Sequence, residues 1–265
     1  MAFCIGLAQI AYPDDGDVLA QVARVAREAA RGGVDLLIFP ENLMAPRELS
    51  AEELCLMAEP VDGGFIQGIG AVARNEGLWV VATMYEANPE GGRPYNTAVV
   101  LDASGRICGC YRKCHLYDAH GVRESDRVGK GSELGVTVKT PFCTLGLAIC
   151  YDLRFPEAFR ALALAGCDVA VLPACWYAGE LKDEHWEALL RARAIENEIF
   201  VAAADHAGEQ YVGRSIVADP LGRVIAKGPA GSGEALVICE IDTDAVAAAR
   251  DAMPVLDHRR PELYR

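Results

Sequence analysis

Three residues of different chemical type each follow an apolar, strand-like run: Glu41 after residues 35–39, Lys113 after Tyr111-Arg112, and Cys150 after residues 144–149. Pro156 can open a helix shortly after Cys150, so the thiol stands at a strand-to-helix corner. Such a corner lifts a side chain out of the sheet edge into a cleft, which is the geometry a covalent nucleophile needs.

Cleaving an amide-like C–N bond through a thiol needs three services. They are a nucleophile, a group that moves protons onto the departing nitrogen, and positive charge where the carbonyl oxygen becomes anionic. A cysteine has an ordinary pKa of about 8.5, so a nearby ammonium such as Lys113 would favour the thiolate, and a buried carboxylate such as Glu41 could take and return the proton. The five histidines, at 115, 120, 185, 206 and 258, hold no compelling strand-end position, although His115 and His206 stay open as partners of a Cys–His pair. Taken singly, each residue has a plainer role: Glu41 as a helix cap, Lys113 as a solvated edge charge, Cys150 as one more buried thiol.

The elements that must position these groups follow an α/β rhythm. Strand-like runs at 5–10, 35–39, 78–84 and 97–101 alternate with helical patterns at 17–31 and 65–76. A polar, glycine-containing stretch at 118–133 is too long for a plain connection and reads as a mobile functional loop. The second half repeats the rhythm with strands at 136–139, 143–149 and 168–172 and helices at 156–165 and 183–197. Strands at 199–204, 215–218, 223–226 and 235–241, a short helix at 243–251 and a charged tail complete the chain.

With 265 residues, 52% of them hydrophobic, the chain can bury a large core as one domain over 1–265, with 252–265 as a C-terminal tail. A formal net charge of -13 argues against a nucleic-acid or anionic-membrane surface, because both are polyanions. The ten cysteines read as reduced thiols in a cytoplasm, since no signal-like segment precedes them and the core needs no disulfide scaffold. No apolar run approaches the roughly 20 residues of a membrane-spanning helix. The spacing of Cys108, Cys110, Cys114 and His115 fits no common zinc pattern, and Gly129-Lys130-Gly131-Ser132 lacks the upstream glycine of a phosphate loop.

Taken together, Phe-Pro-Glu-Asn at 39–42, Tyr-Arg-Lys-Cys-His-Leu-Tyr-Asp at 111–118 and Gly-Leu-Ala-Ile-Cys-Tyr-Asp-Leu-Arg-Phe-Pro-Glu at 146–157 resemble the nitrilase superfamily of carbon-nitrogen hydrolases. The resemblance covers nearly the whole chain and implies a four-layer αββα sandwich. It also implies that Cys150 is the nucleophile, Glu41 the general base and then acid, and Lys113 the oxyanion-stabilising amine, with the Tyr151 backbone N–H as a second donor. The family's further loop glutamate maps onto Glu124, with Glu133 as the runner-up. No metal or organic cofactor is implied.

The segment Cys-Tyr-Asp-Leu-Arg-Phe-Pro-Glu resembles the omega-amidase and deaminated-glutathione amidase branch rather than the Cys-Trp-Glu of true nitrilases. Residues 185–197 and 257–264 resemble the same branch, whereas 175–182 depart from the Thr-Gly-rich loop of eukaryotic omega-amidases. The branch implies an amidase acting on a small carboxylate-bearing amide and releasing ammonia. Arg154 is then a candidate for the substrate carboxylate, or a structural lock on the corner, and Trp176 a candidate pocket wall, or a hydrophobic cover. Alternatives are an N-carbamoyl amine amidohydrolase, a nitrilase, or a catalytically silent metabolite-binding protein. The family also implies a homodimer packed through the helices after Cys150 and after Trp176.

Overall fold

The structure, a computed structural model, describes residues 1–46 and 48–264. The first half runs β1 (Ala2–Gln9), α1 (Val18–Arg31), β2 (Leu36–Ile38), α2 (Ala51–Met57), α3 (Gly64–Glu76), β3 (Trp79–Glu86), β4 (Tyr95–Leu101) and β5 (Ile107–Arg112). A small hairpin follows, β6 (Asp118–Ala119) and β7 (Val122–Arg123). The second half runs β8 (Thr137–Lys139), β9 (Thr144–Leu147), α4 (Pro156–Leu164), β10 (Val169–Ala174), α5 (Lys182–Asn197) and β11 (Phe200–Asp205). It ends with β12 (Ile216–Ala218), β13 (Val224–Lys227), β14 (Ala235–Asp242) and α6 (Asp244–Ala252).

Among the described residues the strands form two six-stranded sheets, ordered β14-β1-β2-β3-β4-β5 and β13-β12-β11-β10-β9-β8. Each has a parallel centre, β1-β2-β3 in one and β9-β10-β11 in the other, flanked by antiparallel strands. Side-chain alternation then builds the layers. Leu36, Ile38 and Val81 face inward against Leu145, Leu147 and Val171 of the other sheet. Leu37 and Val80 face outward onto Val22, Val25, Ile66 and Ile69 of α1 and α3. On the opposite side Phe159 and Leu162 of α4 and Trp186 and Leu190 of α5 cover the second sheet. The result is the αββα sandwich that the motifs imply.

Local chemistry sets the element ends. Asp17 caps α1, its Oδ1 accepting from Ala20 N at 3.0 Å, and Pro156 opens α4. The helix α2 lies in a segment that hydrophobic periodicity does not single out. It starts from a capping box in which Ser50 and Glu53 each accept from the other's backbone N–H. The stretch at 118–133 is not plain loop: it contains the β6-β7 hairpin and a 3-10 turn, Glu124–Asp126, that buries Glu124. The C-terminal tail carries a further 3-10 turn at Pro261–Leu263.

Candidate active site

Glu41 leaves the C-terminal end of β2 and is 1% exposed. Its carboxylate accepts hydrogen bonds from Asn96 Nδ2 at 2.8 Å and Lys113 Nζ at 2.7 Å on Oε1, and from Cys175 N at 3.1 Å on Oε2. A carboxyl group removed from water needs such partners, and here they also fix its orientation.

Lys113 leaves the end of β5 and is 2% exposed. Besides Glu41, its ammonium reaches both carboxylate oxygens of Glu124, at 3.0 and 2.9 Å. Glu124 is itself held by Tyr117 N, 2.6 Å from Oε2. Gly131 N donates to Lys113 O at 2.8 Å, and a Cβ at Gly131 would lie 2.1 Å from Arg112 O, so only glycine lets the 118–133 segment close so tightly over β5. One ammonium facing two carboxyl groups leaves the trio with either one net negative charge or one extra proton. These are the two states between which a general base alternates.

Cys150 follows β9, begins the 3-10 turn Cys150–Arg154 and has a left-handed backbone, φ 44°. For a residue with a Cβ this conformation costs on the order of 1–2 kcal/mol. Asp152, fully buried, supports the corner: its Oδ2 accepts from Ile149 N at 2.9 Å and from Tyr111 Oη at 2.8 Å, and its Oδ1 lies 2.7 Å from His115 Nδ1. The thiol faces a cavity lined by Tyr117, Tyr151, Arg154, Cys175, Trp176 and Lys182, with about 10 Å³ of free space, room for about one water. A wider cavity of about 1090 Å³ adjoins it through the shared residues Tyr117, Tyr177 and Lys182.

Cys175 joins the two halves of this arrangement. Its amide bonds Glu41, and its side chain lines the cavity beside Cys150. The next residue, Trp176, is 4% exposed; its N donates to Asp205 Oδ1 at 2.7 Å and its ring carries the Arg154 guanidinium at 4.8 Å. Trp176 is thus both a wall of the cavity and part of the core. Arg154 and Lys182 enter the same cavity as like charges. Burial lowers the Lys182 pKa from its ordinary value, and the Arg154 guanidinium lowers it further.

Cys150, Tyr151, Arg154 and Trp176 therefore lie at this cavity, and Glu41, Lys113 and Glu124 form the buried charge cluster beside it. Glu133 does not replace Glu124: its backbone carbonyl accepts from Cys114 Sγ at 3.1 Å. His206 has both ring nitrogens on backbone carbonyls, those of Ile10 and Glu41, and His115 stacks on Phe155 with its Nδ1 on Asp152. Sequence reading passed over Asn96, Asp152, Cys175 and Lys182. Asp152 lies inside the quoted motif around Cys150, but Asn96 sits mid-chain on β4 and carries no signal of its own. No group of three or more His, Cys, Asp or Glu side chains suited to a metal occurs among the described residues.

The two-sheet sandwich and this thiol-carboxyl-amine site coincide with a family match. The carbon-nitrogen hydrolase family model covers residues 4–251, and the chain belongs to that family, the hydrolases of C–N bonds. The deaminated glutathione amidase of Escherichia coli O157:H7 is 36% identical over 238 residues, 90% of this chain and 89% of that one. A carbon-nitrogen hydrolase from Helicobacter pylori G27 shares the fold, with a TM-score of 0.91, 24% identity, and coverage of 100% of this chain and 97% of that one. A glutamate-to-glutamine variant of the amidase from Nesterenkonia sp. AN1 aligns with a TM-score of 0.81 and 26% identity, over 99% of this chain and 95% of that one. That structure shows covalent addition of the acetamide moiety of fluoroacetamide at the active site cysteine.

Proposed function

We propose that the chain is a cysteine-dependent amidase in which Cys150 is the nucleophile, Glu41 the proton carrier and Lys113 the oxyanion donor. The observation that carries this reading is the buried trio of Glu41, Lys113 and Glu124, tied through Cys175 to the cavity that Cys150 lines. Glu41 takes the thiol proton as sulfur attacks the amide carbon. The Lys113 ammonium and the Tyr151 N–H stabilise the oxyanion. Collapse of the tetrahedral adduct expels the amine, which receives the proton from Glu41, and leaves a thioester. Water, deprotonated by Glu41, then attacks the thioester, and the acid departs with the thiol restored. Glu124 acts as a positioning residue that fixes the ammonium.

Arg154 and Lys182 make the cavity cationic beside the nucleophile, which supports a substrate bearing a carboxylate near its scissile amide. Ammonia from a primary amide and a larger amine are both leaving groups the site could release. The adjoining cavity of about 1090 Å³ supports the larger one, as deaminated glutathione would present. An N-carbamoyl substrate is the same-chemistry rival and would also yield carbon dioxide.

Side-by-side product analysis with deaminated glutathione, 2-oxoglutaramate, simple aliphatic amides and N-carbamoyl amino acids tests the reading, with Cys150→Ala as blank. Turnover of carboxylate-bearing amides that disappears in the variant is the expected result. Unchanged turnover in Cys150→Ala would overturn it.

The same reading treats residues 1–265 as one hydrolase unit, because Glu41 and Cys150 come from opposite halves of the chain. It extends to a homodimer through α4 and α5, supported by the exposed Leu164 and Ile195 on those helices. Sedimentation giving a monomer at micromolar concentration would remove the dimer. A reducing cytoplasm suits the buried thiols of Cys143 and Cys167, and among the described residues no helix is long and apolar enough to cross a membrane.

A further inference from the structure

His206 follows the end of β11 in the second sheet, yet both of its ring nitrogens address the first. Nδ1 is 2.9 Å from Ile10 O, just beyond β1, and Nε2 is 2.7 Å from Glu41 O, just beyond β2. The ring is 5% exposed and packs near Tyr211, with centroids 5.5 Å apart. A carbonyl oxygen can only accept. A neutral imidazole has one N–H, so it satisfies one of these contacts and turns a lone pair on the other oxygen, whereas an imidazolium donates to both.

We propose that His206 is a positioning residue for Glu41, bridging Ile10 O and Glu41 O as a doubly donating imidazolium. This rests on Glu41 being the proton carrier and extends it. The Glu41 carboxylate must hold Asn96, Lys113 and the Cys175 N–H while its proton comes and goes, and its backbone needs an anchor from the opposite sheet. Without that anchor the peptide after β2 is tied across the sandwich by its own N–H to Ala174 O at 3.3 Å and the Cys175 thiol on Glu41 O, also at 3.3 Å.

The charges around the ring make the bridge sensitive to pH. Burial prevails and holds the imidazole pKa below its ordinary value, with the Ile10 and Glu41 carbonyls and the carboxylates of Glu41 and Glu48 opposing it in part, so the doubly protonated ring belongs to the acidic side of neutrality. Asp205 precedes it in the chain, its own carboxyl pushed well up by burial, and among the described residues Tyr12, Glu48, Tyr211 and Cys175 are titratable groups lining the adjoining cavity. The charged form is present below the His206 pKa, and one of the two carbonyl bonds is lost as pH rises through it. Glu41 is then less firmly held.

The test uses the whole protein with ¹⁵N-labelled histidine, the His206 signals being assigned by their absence in His206→Gln. Both His206 nitrogens should carry protons at the pH of maximal activity, and loss of one proton at higher pH should accompany a fall in kcat. Glutamine reaches only one carbonyl at a time, so His206→Gln should lower kcat about 10-fold or more, change KM less than about twofold, and lose that pH limb. A single neutral tautomer at the activity optimum overturns the proposal, and so does a folded His206→Gln enzyme with the native pH profile. The protonation state of His206 is read from the resting protein without substrate, so it is obtained even where the amidase reading fails.

Discussion

The ammonium of Lys113 is held by Glu124 in a two-pronged contact, 3.0 and 2.9 Å to the two carboxylate oxygens, deep within the fold. Glu41 competes for the same ammonium at 2.7 Å, so the lysine is shared between two carboxyl groups, of which the proposed mechanism asks only Glu41 to change protonation. Glu124→Gln removes the second charge while keeping shape and one acceptor. On the proposed mechanism it should lower kcat by about 10- to 100-fold with KM little changed, because a Lys113 ammonium that can swing toward Glu41 is no longer aimed at the oxyanion. Steady-state kinetics on the best amide from the panel decides it; equal losses in kcat and KM would point to substrate binding.

Asp152→Ala should damage the corner that carries Cys150. The substitution leaves Ile149 N, Tyr111 Oη and the His115 N–H groups without their acceptor in a fully buried setting. Stranded donors of this kind cost about 1–3 kcal/mol apiece, so a loss of about 3 kcal/mol or more in unfolding free energy is expected by urea titration.

Arg154→Leu and Lys182→Met should separate charge recognition from chemistry. Each should raise KM for a carboxylate-bearing amide by about 10-fold or more, in line with the roughly 1.5–3 kcal/mol of a charge-assisted contact, and leave KM for a neutral aliphatic amide within about twofold. Parallel losses on both substrates would assign Arg154 to the corner alone, through its contact with Trp176.

Asp102 offers a pH-dependent check on the fold away from the site. Burial disfavours its charge, but hydrogen bonds from Ser104 and Arg106 and the Arg106 guanidinium prevail and hold its pKa at about 2. A depressed carboxyl pKa contributes stability above the unfolded value near about 3.9 and loses it as pH falls toward the folded one. Asp102→Asn should therefore be less stable than the native chain at neutral pH, and the gap should close between about pH 4 and pH 2 in thermal melts.

The sheet-building strands were legible because their apolar runs are short, β-branched and bounded by turn residues, as at Val169–Ala174 with its parallel neighbours on both sides. Glu41 and Cys150 could be picked out as candidates because they stand beyond such runs, and Lys113 because it ends β5 in a recognisable motif. Asn96 was not, since a polar residue within a strand gives no hint that its side chain crosses to Glu41 from the next-but-one strand of the same sheet. His206 was visible only as one of five histidines, because its partners are backbone carbonyls 196 and 165 residues away in sequence. The helix α2 escaped a reading based on hydrophobic period, since it buries Leu54 alone and rests on its cap.

Glu41 and Lys113 hang from one sheet, while Cys150 and Cys175 hang from the other, and the Glu41-to-Cys175 bond spans the seam between them. Reactivity at sulfur is consequently a gauge of how well the two slabs have closed. During refolding, secondary structure should return before the thiol becomes competent, and any agent that pries the slabs apart by a fraction of an ångström should silence the enzyme while circular dichroism still looks native.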